Sequence, residues 1–157
     1  MRRARSAGFT LIELLIAVAI IAIVAAIAVM NYLNSVERAR QKRTMADMRT
    51  IALAWETSNS EKGNYSAAGF SFPSAVPYDS LTLSLVPTYM RTLPKYDGWG
   101  RPLQFGAGGK LYGIRSAGRD GLYETDAYEQ GTGANPDCDI VYSNGNFVRY
   151  PDSIQGD

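Results

Sequence analysis

Histidine is absent from this 157-residue chain. That removes the commonest general base and a favoured metal ligand. There is one cysteine, Cys138, so no disulfide can close within the chain. No activated-nucleophile arrangement and no phosphate-cradling glycine loop is present either, so an enzyme is not expected. Formal net charge is +1, which excludes the strongly basic footprint of a general nucleic-acid binder. A further absence is local. Residues 9–30 contain no glycine, no proline and a single charge, Glu13.

That apolar run is what is there. Its 22 residues make a helix of roughly 33 Å, enough to cross a bilayer. Arg2, Arg3 and Arg5 precede it. Three readings compete. A secretory signal fits the basic start, and Ala26-Ile27-Ala28 passes as a small-x-small cleavage site, but such a signal has an apolar core of about 7–15 residues and no acid. A plain membrane anchor must accept Glu13, at about 2.5–3.5 kcal/mol near a helix centre and less near an end, and the segment offers no partner. A cut between Gly8 and Phe9 supplies one. The new α-ammonium sits four residues before Glu13, and in an assembly of parallel helices Glu13 of one subunit neutralises the Phe9 amine of the next. Two buried charges that are costly apart become tolerable together.

Gly8-Phe9-Thr10-Leu11-Ile12-Glu13-Leu14-Leu15-Ile16, behind a basic start, resembles the signal of the type IV pilin superfamily. The resemblance implies a leader of residues 1–8, a prepilin peptidase cutting after Gly8, N-methylation of Phe9, and an assembly role for Glu13 at the fifth position of the mature chain. It implies a filament of identical subunits as the partner, with an inner-membrane assembly platform and minor pseudopilins beside it. Arg38, Arg40, Lys42 and Arg43 follow the span as Arg2, Arg3 and Arg5 precede it, so positive-inside bias is about even. The implied peptidase works on the cytoplasmic side. The chain is therefore expected to cross the inner membrane once, with residues 31–157 as a head in the periplasm or at the cell surface.

The expected fold is α+β: a long helix, half membrane-spanning and half amphipathic, with a C-terminal antiparallel sheet of three or four strands packed on it. Val36, Ala39, Met45, Met48, Ile51, Ala52 and Trp55 recur at helical gaps, an apolar stripe made to pack on something. Glu37, Arg38, Arg40, Lys42 and Arg43 form a wet sector, facing solvent, lipid headgroups or a neighbouring subunit. Gly63 is a helix stop, giving one helix of roughly 78 Å over residues 9–60. Many relatives carry proline where this chain has Met30, and often glycine where it has Ala22. Lacking both breakers, the helix is expected to stay continuous through residues 22–31 even in a filament.

Residues 61–100 read as a connection, with either a short strand or a short helix at 81–86 ended by Pro87. Trp99 reads as a core anchor. Leu103 and Phe105 alternate as a strand, Gly106-Ala107-Gly108-Gly109 is a turn, and 111–114 is the returning strand. Asn144-Gly145 between apolar runs signals a hairpin with a type I′ turn. The block from Asp97-Gly98-Trp99-Gly100-Arg101-Pro102 to Ser116-Ala117-Gly118-Arg119-Asp120-Gly121 resembles that of the major pseudopilin of type II secretion systems.

Residues 116–139 hold six of the chain's 15 acids, Asp120, Glu124, Asp126, Glu129, Asp137 and Asp139, and one arginine. Such a cluster repels itself unless something positive sits in it, and the plain alternative is a solvated acidic loop. The pseudopilin resemblance implies calcium, a hard cation that takes six to eight oxygens in flexible geometry. Its implied ligands are Asp120, Asp137 and Asp139, with Ser116, Leu122 and Asp126 less firmly placed. The Cys138 thiol is read as packing, since calcium prefers oxygen. A lone membrane-anchored calcium-binding module and a surface pilus subunit are the rival readings to a secretion pseudopilin.

Overall fold

A computed structural model describes residues 8–60, 72, 74–108, 111–124, 128, 130–133 and 137–151. Helix α1 (Leu11–Ser60) comes first. Strand β1 (Ala75–Val76), helix α2 (Tyr78–Leu85) and strands β2 (Gln104–Gly108), β3 (Leu111–Ser116), β4 (Gly131–Gly133), β5 (Ile140–Ser143) and β6 (Asn146–Pro151) follow. The chain divides into two units, Met1–Val36 and Glu37–Asp157.

In the first unit the helix is unbroken from Leu11, including residues 22–31, as the missing glycine and proline require. All side chains from Phe9 to Leu33 are exposed. The helix is long and apolar enough to cross a membrane by length and composition.

In the second unit the remaining turns of α1 carry the stripe. Met48, Ile51, Ala52 and Trp55 are buried, Met45 packs at their edge, and Thr44, Ala54 and Ser58 extend the covered face. Ala39 is exposed, so the stripe becomes core only from Thr44 onward. Burying four such side chains contributes about 1.5–3 kcal/mol for each large one. Trp55 meets Tyr112 and Phe105 at ring-centroid distances of 5.2 and 6.4 Å, which ties the helix to β3 and β2. Residues 81–86 resolve in favour of helix: Leu81 and Leu85, one turn apart, are buried on α2, while Leu83 points out.

The sheet is larger than three or four strands. Six strands run in the order β1-β2-β3-β5-β6-β4. The centre is the expected pair of hairpins, except that Gly106, Ala107 and Gly108, read as turn, are paired residues of β2. Phe105 pairs with Ile114, and Ile114 with Tyr142, so the inward residues line up across three strands. Asn144 and Gly145 both have positive φ, 47° and 88°, as a type I′ turn demands. The two added edge strands have two and three residues. Two of the three residues of Gly-Thr-Gly are strand-disfavouring glycines, yet it pairs in parallel with β6. The Gly63 stop and the tip of the β2–β3 turn lie outside the described residues.

Trp99 packs against the core from its edge rather than inside it. It is half-buried at the rim, and its indole Nε1 donates to Glu37 Oε2 at 2.6 Å. Glu37, expected in a wet sector, also takes Arg40 Nη1 at 3.0 Å. The residue beneath this contact is Asp97. It is buried, and its Oδ1 accepts from the Trp99 and Arg101 amides at 2.9 and 2.8 Å, its Oδ2 from Ser116 Oγ at 2.7 Å. This carboxylate folds residues 97–101 into a tight turn that lies on the helix. The Gly98 amide donates to Thr44 Oγ1 at 2.8 Å, and Thr44 donates to Arg40 O. A Cβ on Gly98 would stand 2.3 Å from Arg40 O, a backbone atom that cannot turn aside. Gly98→Ala is therefore expected to destabilise the head by about 1–3 kcal/mol, the usual cost of overpacking. Chemical denaturation of the full chain in detergent measures it, and an unchanged midpoint would refute the close contact.

Candidate functional site

Two places carry functional side chains. The first is the start of α1. Thr10 precedes the helix, and its Oγ1 accepts from the Glu13 amide at 3.3 Å. Thr10-Leu11-Ile12-Glu13 is thus a capping-box spacing, a local signal not used in the sequence reading above. It gives Glu13 a second physical role, in the first turn where the helix dipole favours an acid. Gly8 has no packing reason to be glycine: a Cβ there meets nothing within 4 Å. Phe9 is 80% exposed. Neither the glycine nor the aromatic is explained by the fold of the single chain.

The second place is the acidic segment between β3 and β5. The two ends of this segment are brought together at Gly118, whose φ is +60°. A Cβ there would lie 2.8 Å from Cys138 O and 3.4 Å from Asp137 O. Only glycine lets the turn at 117–121 press its backbone on 137–138. Arg101 pins the same turn by donating from Nη1 to Gly118 O at 2.7 Å. The segment holding Asp120 and that holding Asp137 and Asp139 are therefore neighbours.

Each candidate ligand has a different environment. Asp120 Oδ1 accepts from the Leu122 amide at 3.0 Å and is exposed; Leu122 itself is exposed. Asp137 faces Arg119, which donates from Nε and Nη2 at 2.5 and 3.1 Å. That guanidinium holds the Asp137 carboxyl below the usual carboxylate range. Ser116 is buried and its hydroxyl goes to Asp97. Asp126 lies outside the described residues. Asp139 is fully buried. Its Oδ2 accepts from Tyr128 Oη at 2.6 Å and from the Glu124 amide at 3.1 Å. Its Oδ1 is buried with no hydrogen-bond partner among the described residues.

Arginines thread this region. Arg115 donates to Gln104 Oε1 and to Tyr128 Oη, with its guanidinium 4.1 and 4.4 Å from the ring centroids of Phe72 and Tyr123. Arg149 pairs with Glu124 at 3.1 Å. Composition alone hid this, since only Arg119 lies within residues 116–139 and the other two come from β3 and β6. Cys138 is buried against Gly133, and burial pushes its thiol up to about 11. It is a packed, unreactive group.

Among the described residues no three acidic or thiol side chains converge as a ready metal cluster. A hard cation nevertheless fits the chemistry of one atom. Asp139 Oδ1 is an orphaned, desolvated carboxylate oxygen, and such an atom is costly unless it is protonated or paired. Burial raises the Asp139 carboxyl above its ordinary range. Without metal, its favourable contribution is full below the unfolded value and is lost as pH rises through the raised folded value. In chelator, the melting temperature of Asp139→Asn relative to the native chain is expected to climb as pH rises from the unfolded carboxyl value of about 4. A pH-independent difference would mean the carboxyl titrates normally.

Residues 3–29 match the family model described as the prokaryotic N-terminal methylation motif. No curated protein and no solved structure matches the chain. The motif covers the basic start, Gly8, Phe9, Glu13 and most of the apolar run, the very residues that the single-chain fold leaves unexplained. The chain thus has a type IV pilin-like N-terminus, of the kind processed by prepilin peptidase, on an α+β pilin-like layout.

Proposed function

We propose that this chain is a structural subunit of a type IV pilin-like filament, in the manner of the major pseudopilin of a type II secretion system. It is cleaved after Gly8, methylated on Phe9, and held in the inner membrane by residues 9–30 until it assembles, with its head outside the cytoplasm. The observation that carries this reading is the matched motif at residues 3–29 with Glu13 inside it. A helix whose apolar side chains are exposed from Phe9 to Leu33 needs lipid or neighbouring helices around it. Parallel packing of such helices lets Glu13 meet the Phe9 amine of the next subunit.

The resemblance of residues 97–105 and 112–121 to the major pseudopilin block favours secretion over a surface pilus. Imaging of native filaments, inside or beyond the envelope, separates the two. Calcium belongs to the same reading. The observation in its favour is the buried, unpartnered Asp139 Oδ1, close in sequence to Asp137 and, through Gly118, beside the turn of Asp120. A calcium ion there would supply charge compensation and order the loop. It would raise the head's melting temperature by mass action, and equal melting in calcium and in chelator would dismiss it.

Two substitutions test the N-terminal roles. Gly8→Val is expected to block cleavage, leaving an N-terminal peptide that starts at Met1 rather than at methylated Phe9 by mass spectrometry. Glu13→Gln separates the two roles of Glu13. Glutamine leaves the bond from the residue 13 amide to Thr10 Oγ1 in place but loses the charge. Breaking a buried ion pair costs about 3–5 kcal/mol, more than a hundredfold in association. Normal cleavage with filament yield lost by at least tenfold is expected. Normal filaments from Glu13→Gln would remove the ion-pair account of Glu13.

A further inference from the structure

Four basic residues follow the apolar run, and the helix treats them differently. Arg40 has Glu37 three residues before it and pairs with it at 3.0 Å. Arg43 has Asp47 four residues after it, at 3.8 Å. Arg38 and Lys42 have no such acid: no residue three or four positions from either one is acidic, and the charge each meets on its own side of the helix is the other. One turn apart, they set two like charges side by side, which is unfavourable by itself. Lys42 is exposed and Arg38 half-buried, with its Nε buried and without a hydrogen-bond partner among the described residues. We propose, resting on the membrane-anchored reading above, that Arg38 and Lys42 form a two-pronged clamp for the phosphate of an anionic phospholipid, in the leaflet nearer residues 31–157.

The position of the pair along α1 names the anion. The exposed, mostly apolar stretch of the helix ends at Leu33. Tyr32, 68% exposed at that end, is an amphipathic ring of the kind that sits at headgroup level. The helix runs on without a break, so Arg38 and Lys42 follow Leu33 by roughly 8 and 14 Å. A headgroup layer is about 5–8 Å deep on each side of a bilayer, and long basic side chains beside a span reach back to it. A phosphate there meets a forked guanidinium and a compact ammonium, the two side chains that bind phosphate best. It also relieves the repulsion between them. A zwitterionic headgroup carries its own ammonium and gains less from two cations, so the clamp favours a lipid with net negative charge. Glu37 does not compete, since its carboxylate takes Arg40 and the Trp99 indole. A lipid held at this place fixes the depth of the helix in the bilayer before assembly.

The test is electron spin resonance on the full chain in phosphatidylcholine vesicles, with a trace of spin-labelled phosphatidylglycerol or spin-labelled phosphatidylcholine. The amounts of each label held immobile by the protein give its preference for the anionic headgroup. The native chain is expected to prefer phosphatidylglycerol by about fivefold or more, the size of a basic residue's attraction near an anionic surface. Arg38→Gln and Lys42→Gln are each expected to remove most of that preference, and Lys42→Arg to keep it. Arg43→Gln, the same loss of charge at a base that has its own acid, is expected to leave most of it. Equal immobilisation of the two lipids by the native chain overturns the clamp, leaves the membrane anchor standing, and assigns the pair to an acidic surface of a neighbouring subunit. Immobilisation of neither lipid overturns the anchor as well. A loss from Arg43→Gln equal to that from Lys42→Gln overturns the clamp as a plain charge effect. Inorganic phosphate titrated by calorimetry into the same vesicles without the anionic lipid separates the sources: Lys42-dependent heat would make this a free-phosphate site and overturn the lipid assignment.

Discussion

The head depends on one constraint: the stripe of Met48, Ile51, Ala52 and Trp55 on α1 must be covered, and the sheet is what covers it. Every later element takes its place from that surface. Trp55 fixes β2 and β3 through Phe105 and Tyr112. The turn at 97–101 can lie on the same helix only because Gly98 has no side chain. Asp97, buried in that turn, then reaches Ser116 at the end of β3 and so joins the helix contact to the start of the acidic segment. Arg101 continues the line to Gly118. A chain of close contacts thus runs from the middle of α1 to the acidic segment.

The two parts of α1 obey different rules. From Glu37 onward the helix has a core face and a wet face, and tertiary burial dictates which residues are apolar. From Phe9 to Leu33 the side chains are exposed, and nearly all of them are apolar. A soluble monomer would not keep such a surface in water. The composition of this stretch is explained by an environment outside the chain, which agrees with the methylation motif matched over residues 3–29. Thr10 and Glu13 show that even here local chemistry is at work, because a helix end needs its amides satisfied.

The acidic segment shows how charge is managed when acids and bases are distant in sequence. Glu124 is met by Arg149 from β6, and Asp137 by Arg119. Asp139 Oδ2 accepts from the Glu124 amide and from the Tyr128 hydroxyl, which also takes a hydrogen bond from Arg115 of β3. Among the described residues, Oδ1 of Asp139 is buried with no hydrogen-bond partner. Its burial beneath the segment, rather than the number of acids nearby, is the feature that asks for a proton or a cation.

The sequence by itself determined the elements whose signals are local. The absence of glycine and proline made the apolar helix continuous. The three-and-four spacing marked the packing stripe from Met45 to Trp55, and Asn144-Gly145 fixed the last hairpin through its positive φ angles. Tertiary structure decided the rest, for physical reasons that no window of sequence contains. β4 is a strand because β6 offers it an edge, not because Gly-Thr-Gly prefers to be one. Trp99 is at the rim because Glu37, 62 residues earlier, takes its indole hydrogen. Gly98 and Gly118 are required by backbone approaching from other segments. Glu124 is paired by Arg149, contributed from β6, since electrostatic partners are chosen by distance in space.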